Sequence, residues 1–272
     1  MSGRLVVCPT PIGNLEDVTL RVLSALRDAD VVACEDTRRT RVLLDRYGVK
    51  ARLVSYHEHN EHARASQLVG RMREGEVVAL VSDAGMPLVS DPGYLLVRGC
   101  VAAGLPVEVL PGPSAPITAL VASGMPADEW HFHGFLPRKQ GELRRVLMEP
   151  GGTLVAFESP RRVATTLALL AEIEPNREVA VCRELTKAHE EIVRGTAAEL
   201  AARYADGPPR GEVVLVLAPA EPLSAESVEP AALDALRRLV DAGARPRKAA
   251  GIVAELTGGS ANALYRALTS GD

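Results

Sequence analysis

The chain has 272 residues, of which 47% are hydrophobic and 24% charged, and its 31 basic and 35 acidic side chains leave a formal net charge of −4. This composition excludes a disordered chain, supplies apolar material for one large or two modest cores, and lacks the broad positive field of many nucleic-acid binders. The longest apolar runs, Val77 to Val81 and Val213 to Ala218, are far too short to cross a bilayer, and the residues after Met1 lack the apolar core of a secretory signal, so a cytoplasmic location without a membrane partner is expected.

From residue 5 to about 123, short β-branched runs alternate with amphipathic helical stretches, the pattern of a mainly parallel sheet with helices on its faces. Strands are predicted at Leu5 to Cys8, Val31 to Cys34, Arg52 to Tyr56, Val77 to Val81 and Val107 to Leu110. Leu15, Val18, Val22 and Leu26 recur at helical spacing, and Asn60 reads as the N-cap of a helix running to about Glu74. Residues 1–129 are accordingly expected to form a first α/β domain. His57, His59 and His62 lie close together but lack the i, i+4 pair with an intervening glutamate that a zinc helix needs, so no metal site is expected.

The stretch from Trp130 to Gly141 carries aromatics, Pro137 and basic residues, and it reads as the boundary of a second block. In that block Thr153 to Phe157, Val179 to Arg183, Ile192 to Thr196 and Val213 to Ala218 predict strands, with helices after Arg161 and at Ala197 to Tyr204. A smaller α/β domain over residues 130–220 is expected. The segment PAEPLSAESVEP then reads as a linker. Ala231 to Leu239, Pro246 to Leu256 and Ser260 to Leu268 predict three short helices, broken at Gly243 and at Gly258–Gly259, and suit a helix-turn-helix-like domain over residues 224–272.

Cys8, Cys34 and Cys182 each end a β-like run, and no two of the four cysteines, the fourth being Cys100, share a CxxC spacing. They read as buried small hydrophobes. Basic residues gather at Arg38, Arg39 and Arg41, at Arg138, Lys139, Arg144 and Arg145, and at Arg245, Arg247 and Lys248. Each cluster is a solvated face or a local phosphate contact.

Turn-forming residues concentrate just after the predicted strands of the first block, at the sheet edge where open α/β folds bind ligands. After the first strand, Pro9-Thr10-Pro11-Ile12-Gly13-Asn14 opens a helix but matches neither GxGxxG nor a P-loop. After the fourth, Ser82 to Gly93 holds two Ser-Asp pairs, two glycines and two prolines, a density that points to a rigid ligand loop. Pro111-Gly112-Pro113-Ser114-Ala115 follows the fifth and leads into a helix whose first amides suit a carboxylate. In the second block, Phe157-Glu158-Ser159-Pro160-Arg161-Arg162 and Arg183-Glu184-Leu185-Thr186-Lys187 sit at strand ends, so edges of both blocks are able to face one cleft.

The blocks TPIGNLEDVTLRVLSAL, ACEDTRRT, SDAGMPLVSDPG, PGPSA, FESPRR, CRELTKAHEE and GEVVLVL, in this order, resemble the bacterial small-subunit ribosomal RNA cytidine 2′-O-methyltransferases of the tetrapyrrole methylase superfamily. The carboxyl-terminal helices are similar to a small helical domain that many of those proteins append. The resemblance implies two α/β domains with S-adenosylmethionine folded in the cleft between them, contacted by Pro11, Gly13, Asp83, Ala84, Gly85, Met86, Ser114, Ala115 and Ser159. It further implies a homodimer, and as acceptor the 2′-oxygen of a cytidine in the decoding centre of 16S ribosomal RNA within the assembled small subunit.

Methyl transfer from a sulfonium is an in-line displacement, so the protein must chiefly align the reactants and exclude water, and a base near the ribose hydroxyl would assist. Candidates are Asp36, Glu158 and Lys187, with Glu35 and Asp83 beside them, and the sequence does not choose among them. A methyltransferase of a tetrapyrrole or other small molecule, or a non-catalytic nucleoside-binding assembly factor, would fit the same loops. The tail from Ser224 is expected to assist acceptor recognition without holding the donor.

Overall fold

The computed structural model describes residues 3–220, 230–257 and 259–269. They divide into two compact units, one within residues 1–219 and the other within 220–272.

The first unit opens with β1 (Arg4–Val7), α1 (Leu20–Asp28), β2 (Val31–Cys34), α2 (Thr37–Arg46), β3 (Leu53–Ser55), α3 (Glu61–Arg73), β4 (Val77–Leu80), α4 (Tyr94–Ala102), β5 (Val107–Val109) and α5 (Ala115–Ser123). The five strands form one parallel sheet in the order β3-β2-β4-β1-β5. Successive strand residues face opposite sides. Leu5, Val7, Val31, Ala33, Val78 and Leu80 therefore pack under α3 and α4, against Leu68, Met72, Leu96 and Cys100. Val6, Cys8, Val32, Cys34, Ala79 and Val81 pack on the other side against Val22, Leu23 and Leu26 of α1 and Leu44 of α2. Burial on both faces is why these strands read as unbroken apolar runs.

The chain continues through β6 (Trp130–Phe135), α6 (Gln140–Leu147), β7 (Thr153–Glu158), α7 (Val163–Ile173), β8 (Glu178–Arg183), β9 (Glu191–Thr196), α8 (Ala197–Tyr204) and β10 (Val213–Leu217). This second sheet is mixed, in the order β6-β7-β10-β8-β9, with β10 antiparallel to both neighbours. One face, through Leu154, Ala156, Val181 and Leu215, packs on α6, α7 and α8. The other, through Val155, Ala180, Cys182, Val214 and Val216, is covered by Ala119 and Leu120 of α5 together with Ile12 and Leu185. A helix that follows the last strand of the first sheet thus closes the core of the second.

Several local expectations are corrected. Trp130 to Gly141 contains β6 and the start of α6; its strand lies at the sheet edge, mostly half exposed, and so shows no buried alternation. The helix expected from Leu15 begins only at Leu20, because Thr19 caps it by accepting from the Val22 amide, and Leu15–Asp17 is a separate 3₁₀ turn capped by Asn14. Asn60 stands at the N-cap of α3 but makes no cap bond: its side chain accepts from the His57 amide and donates to the Ser55 carbonyl. All four cysteines are buried and free, and burial pushes Cys8 up to about 12 and Cys100 and Cys182 up to about 11, so none is a reactive thiolate.

The second unit contains α9 (Pro230–Asp241), α10 (Pro246–Thr257) and α11 (Ala261–Thr269), joined around Leu236, Val253 and Leu264. The expected linker, apart from Pro219, Ala220 and Pro230, lies outside the described residues, as does Gly258. No described helix is long and apolar enough to cross a membrane.

Candidate functional site

A cavity of about 420 Å³ opens where the edges of the two sheets meet, inside the range of roughly 300–1,000 Å³ usual for small-molecule sites. From the first sheet it is walled by Ile12 after β1, by Ala84, Gly85, Met86, Val89, Ser90 and Asp91 after β4, and by Ser114, Ala115 and Pro116 at the amino end of α5. From the second come Phe135 at the end of β6, Phe157, Glu158, Ser159 and Pro160 at the end of β7, Leu185 after β8, and Gly211 to Val214 at the start of β10.

The loops of the first sheet are braced against one another. Thr10 and Gly85 exchange two backbone hydrogen bonds of 2.9 Å, and the Ser82 hydroxyl donates to the Gly85 carbonyl at 3.1 Å. Gly85 holds φ near +80°, a region that favours glycine, and so turns the chain along the cavity wall. The loops after β1 and β8 also touch: the Asn14 amide donates to the Thr186 hydroxyl at 3.0 Å, and a Cβ on Gly13 would stand 2.9 Å from the Leu185 carbonyl oxygen. Gly13 is needed for that close approach.

Of the residues singled out in the sequence, Ala84, Gly85, Met86, Ser114, Ala115, Glu158 and Ser159 are brought to this cavity. Pro11 is buried one residue before Ile12 and does not line it. Gly13 and Lys187 line a neighbouring open groove instead. Lys187 donates to Glu184 at 2.7 Å and to Glu212 at 2.9 Å; burial alone would lower its pKa, but the two carboxylates outweigh it and hold the ammonium above its ordinary value. A lysine so held is a poor proton acceptor at neutral pH. Asp36 caps α2 by accepting from the Arg38 amide, and the Arg38 side chain and amide together draw its carboxyl down to about 2. Asp83 accepts from the Asp36 amide at 3.0 Å and pairs with Arg39 at 3.5 Å.

Glu158 is almost wholly buried, at 2% exposure. It accepts from the Thr166 hydroxyl at 2.7 Å and the Ser159 amide at 2.7 Å, and Arg162 stands 3.4 Å away. Its oxygens are already committed to the protein, which suits a brace better than a base.

The wall from Gly211 to Val214 was not expected from the sequence, and Asp91, inside the predicted ligand loop Ser82 to Gly93, was not singled out there. Burial, with the nearby Glu35 carboxylate adding to it, pushes Asp91 up to about 6. Burial and the Asp83 charge raise Glu35 as well. Since the native Asp91 carboxyl binds its proton more tightly than the unfolded one, the stability it provides is complete below the unfolded value of about 3.9 and is lost as pH rises through about 6. Asp91→Asn removes this dependence. The thermal midpoint of the variant relative to the parent is therefore expected to rise between about pH 4.5 and about pH 7.5; a difference that stays constant would show that Asp91 ionises as freely in the fold as out of it.

Residues 4–201 match the family described as Tetrapyrrole (Corrin/Porphyrin) Methylases, and residues 227–271 match the RsmI C-terminal HTH domain. The Mesorhizobium japonicum protein named "Ribosomal RNA small subunit methyltransferase I" is 49% identical over 97% of this chain and 90% of its own length. A Thermotoga maritima protein of the same name is 45% identical over 79% of this chain and 98% of its own length. Among solved structures, the uroporphyrin-III C-methyltransferase from Thermus thermophilus complexed with S-adenyl homocysteine superposes with a TM-score of 0.56 at 22% identity, over 79% of this chain and 97% of that one. This chain belongs to the tetrapyrrole (corrin/porphyrin) methylase family, in the branch of the ribosomal RNA small subunit methyltransferases I.

Proposed function

We propose that the protein transfers the methyl group of S-adenosylmethionine to the ribose 2′-oxygen of a cytidine in the decoding centre of 16S ribosomal RNA, acting on the assembled small subunit as a homodimer in the cytoplasm. The observation that carries this reading is the 49% identity, running through both units, to a relative named for the small-subunit RNA. The cavity suits the donor chemically. Ile12, Met86, Leu185 and Val214 offer apolar cover for a nucleoside, the amino end of α5 offers amides to a carboxylate, and Asp91 offers a negative charge to a sulfonium or an ammonium. The loops from Ala84 to Met86 and at Ser114 and Ala115, with Ser159 opposite, would hold the donor, while Pro11, Gly13 and Asp83 would support those loops from behind.

The donor carries the methyl group and the leaving sulfur, and the chain supplies alignment and a dry cleft. With Asp36, Glu158 and Lys187 each engaged by partners, catalysis rests on positioning more than on a dedicated base. The three-helix unit is expected to assist acceptor recognition without holding the donor, a reading supported by the Thermotoga maritima relative, 98% of whose length is matched by 79% of this chain.

The test is to supply radiolabelled donor with small subunits lacking the modification, with free 16S RNA, or with a tetrapyrrole, and to map any ribose methylation. Label is expected in the subunit RNA, at least roughly tenfold above free RNA, a difference of about 1.4 kcal/mol in transition-state stabilisation. Label in the tetrapyrrole alone would make the protein a small-molecule methyltransferase. Donor binding without transfer to any of the three would make it an assembly factor.

A further inference from the structure

The cavity mouth carries a large aromatic side chain that the fold does not bury. Phe135 is 64% exposed and lines the cavity at the end of β6. The chain has three phenylalanines, and Phe132, Phe135 and Phe157 form one cluster. Phe157 meets Phe132 edge-on with ring centroids 5.0 Å apart and Phe135 at a tilt with centroids 5.3 Å apart. In a regular strand, residues three apart point to opposite faces. Phe132 and Phe135 reach the same ring because the register slips between them: Phe132 lies opposite Val155 and Phe135 opposite Phe157, three steps on β6 against two on β7.

Gly134, at φ near +77°, supplies the positive dihedral that such a bulge uses. Bulges beside active sites re-aim a side chain. Here the result is an aromatic face braced from behind by Phe157 and open in front. Two cations follow the rim closely in sequence: Arg138 comes three residues after Phe135, and Arg161 directly after the cavity-lining Pro160; both are exposed and have no ion pair among the described residues. An exposed ring on a rim whose adjoining chain segments carry exposed arginines matches how proteins hold unpaired RNA, by stacking a splayed base and contacting its phosphates.

We propose that Phe135 is the platform on which the acceptor nucleobase stacks, and so helps set specificity for an unpaired nucleotide. The proposal rests on the reading of the protein as an RNA methyltransferase. It is tested on the full chain with Phe135→Leu and Phe135→Tyr, measuring donor affinity by calorimetry, kcat and KM for small subunits lacking the modification, and mass by light scattering. For Phe135→Leu, KM for the subunit is expected to rise roughly tenfold or more, in line with the loss of one stacked base. Donor affinity and mass should stay as in the parent protein, and Phe135→Tyr should keep the parent KM.

A Phe135→Leu protein with parent KM overturns the stacking role. A weakened donor affinity in both variants would place Phe135 in the donor site, and a changed mass would place it under a second copy of the chain; either result also overturns it. If the parent protein methylates subunits and Phe135→Leu does so equally well, only the stacking role fails. If the parent protein transfers no methyl to RNA, the functional reading fails and the stacking role falls with it.

Discussion

Glu158→Ala is expected to cost about 3 kcal/mol of folding stability, the low end of the range for removing one partner of a buried ion pair. The carboxylate sits at the end of β7, where Thr166 of α7, the Ser159 amide and Arg162 converge on it, and alanine would leave the Thr166 hydroxyl buried without that acceptor. The loss stays at the low end because the Arg162 side chain is 28% exposed and still donates to the Leu136 and Pro137 carbonyls. Urea unfolding measures it.

Glu158→Gln separates the brace from the base. Glutamine keeps the shape and can accept one of the two donated bonds, so methyl transfer should stay within about tenfold of the parent rate and keep the same pH profile. A general base removed in this way would lower kcat by roughly 10²–10⁴ and flatten the acidic limb. That result would return Glu158 to the reaction itself.

The first sheet was legible because parallel strands covered on both sides are written as continuous apolar runs, and Val31 to Cys34 begins and ends where the sequence places it. The edge strand β6 was not, since half-buried Trp130 and Phe132 and exposed Phe135 interleave with histidines and a glycine and carry no clean period. The bulge that aims Phe135 depends on which residue of β7 it faces, a matter of pairing that one strand's sequence does not contain.

The cavity was half legible for a similar reason. Reading ligand loops from the carboxyl ends of strands finds the segments after β4, β5 and β7. It misses Gly211 to Val214, because β10 runs antiparallel to its neighbours and brings its amino end to the cleft. Gly13 and Lys187 lie where the loops after β1 and β8 meet across the two sheets, in a clasp beside the cavity.

Gly85→Val is expected to weaken donor binding at least tenfold, about 1.4 kcal/mol, and to lower stability as well. The cause is backbone conformation rather than filled space. A Cβ at Gly85 would meet Ile12 at 3.4 Å and the Pro113 carbonyl oxygen at 3.7 Å, which are ordinary contacts, but φ near +80° costs an L-residue about 1–2 kcal/mol and a β-branched one more. Relieving that strain would turn the peptide away from Thr10, breaking the paired bonds that hold the loop, and would carry Ala84 and Met86 off the cavity wall with it. Asparagine is close to valine in size but tolerates the left-handed region. If conformation governs, Gly85→Asn should retain most of the donor affinity, with calorimetry showing a loss clearly smaller than that of Gly85→Val. Equal losses in the two variants would mean instead that any side chain at this position collides with the bound donor, and that the loop's glycine is kept for space.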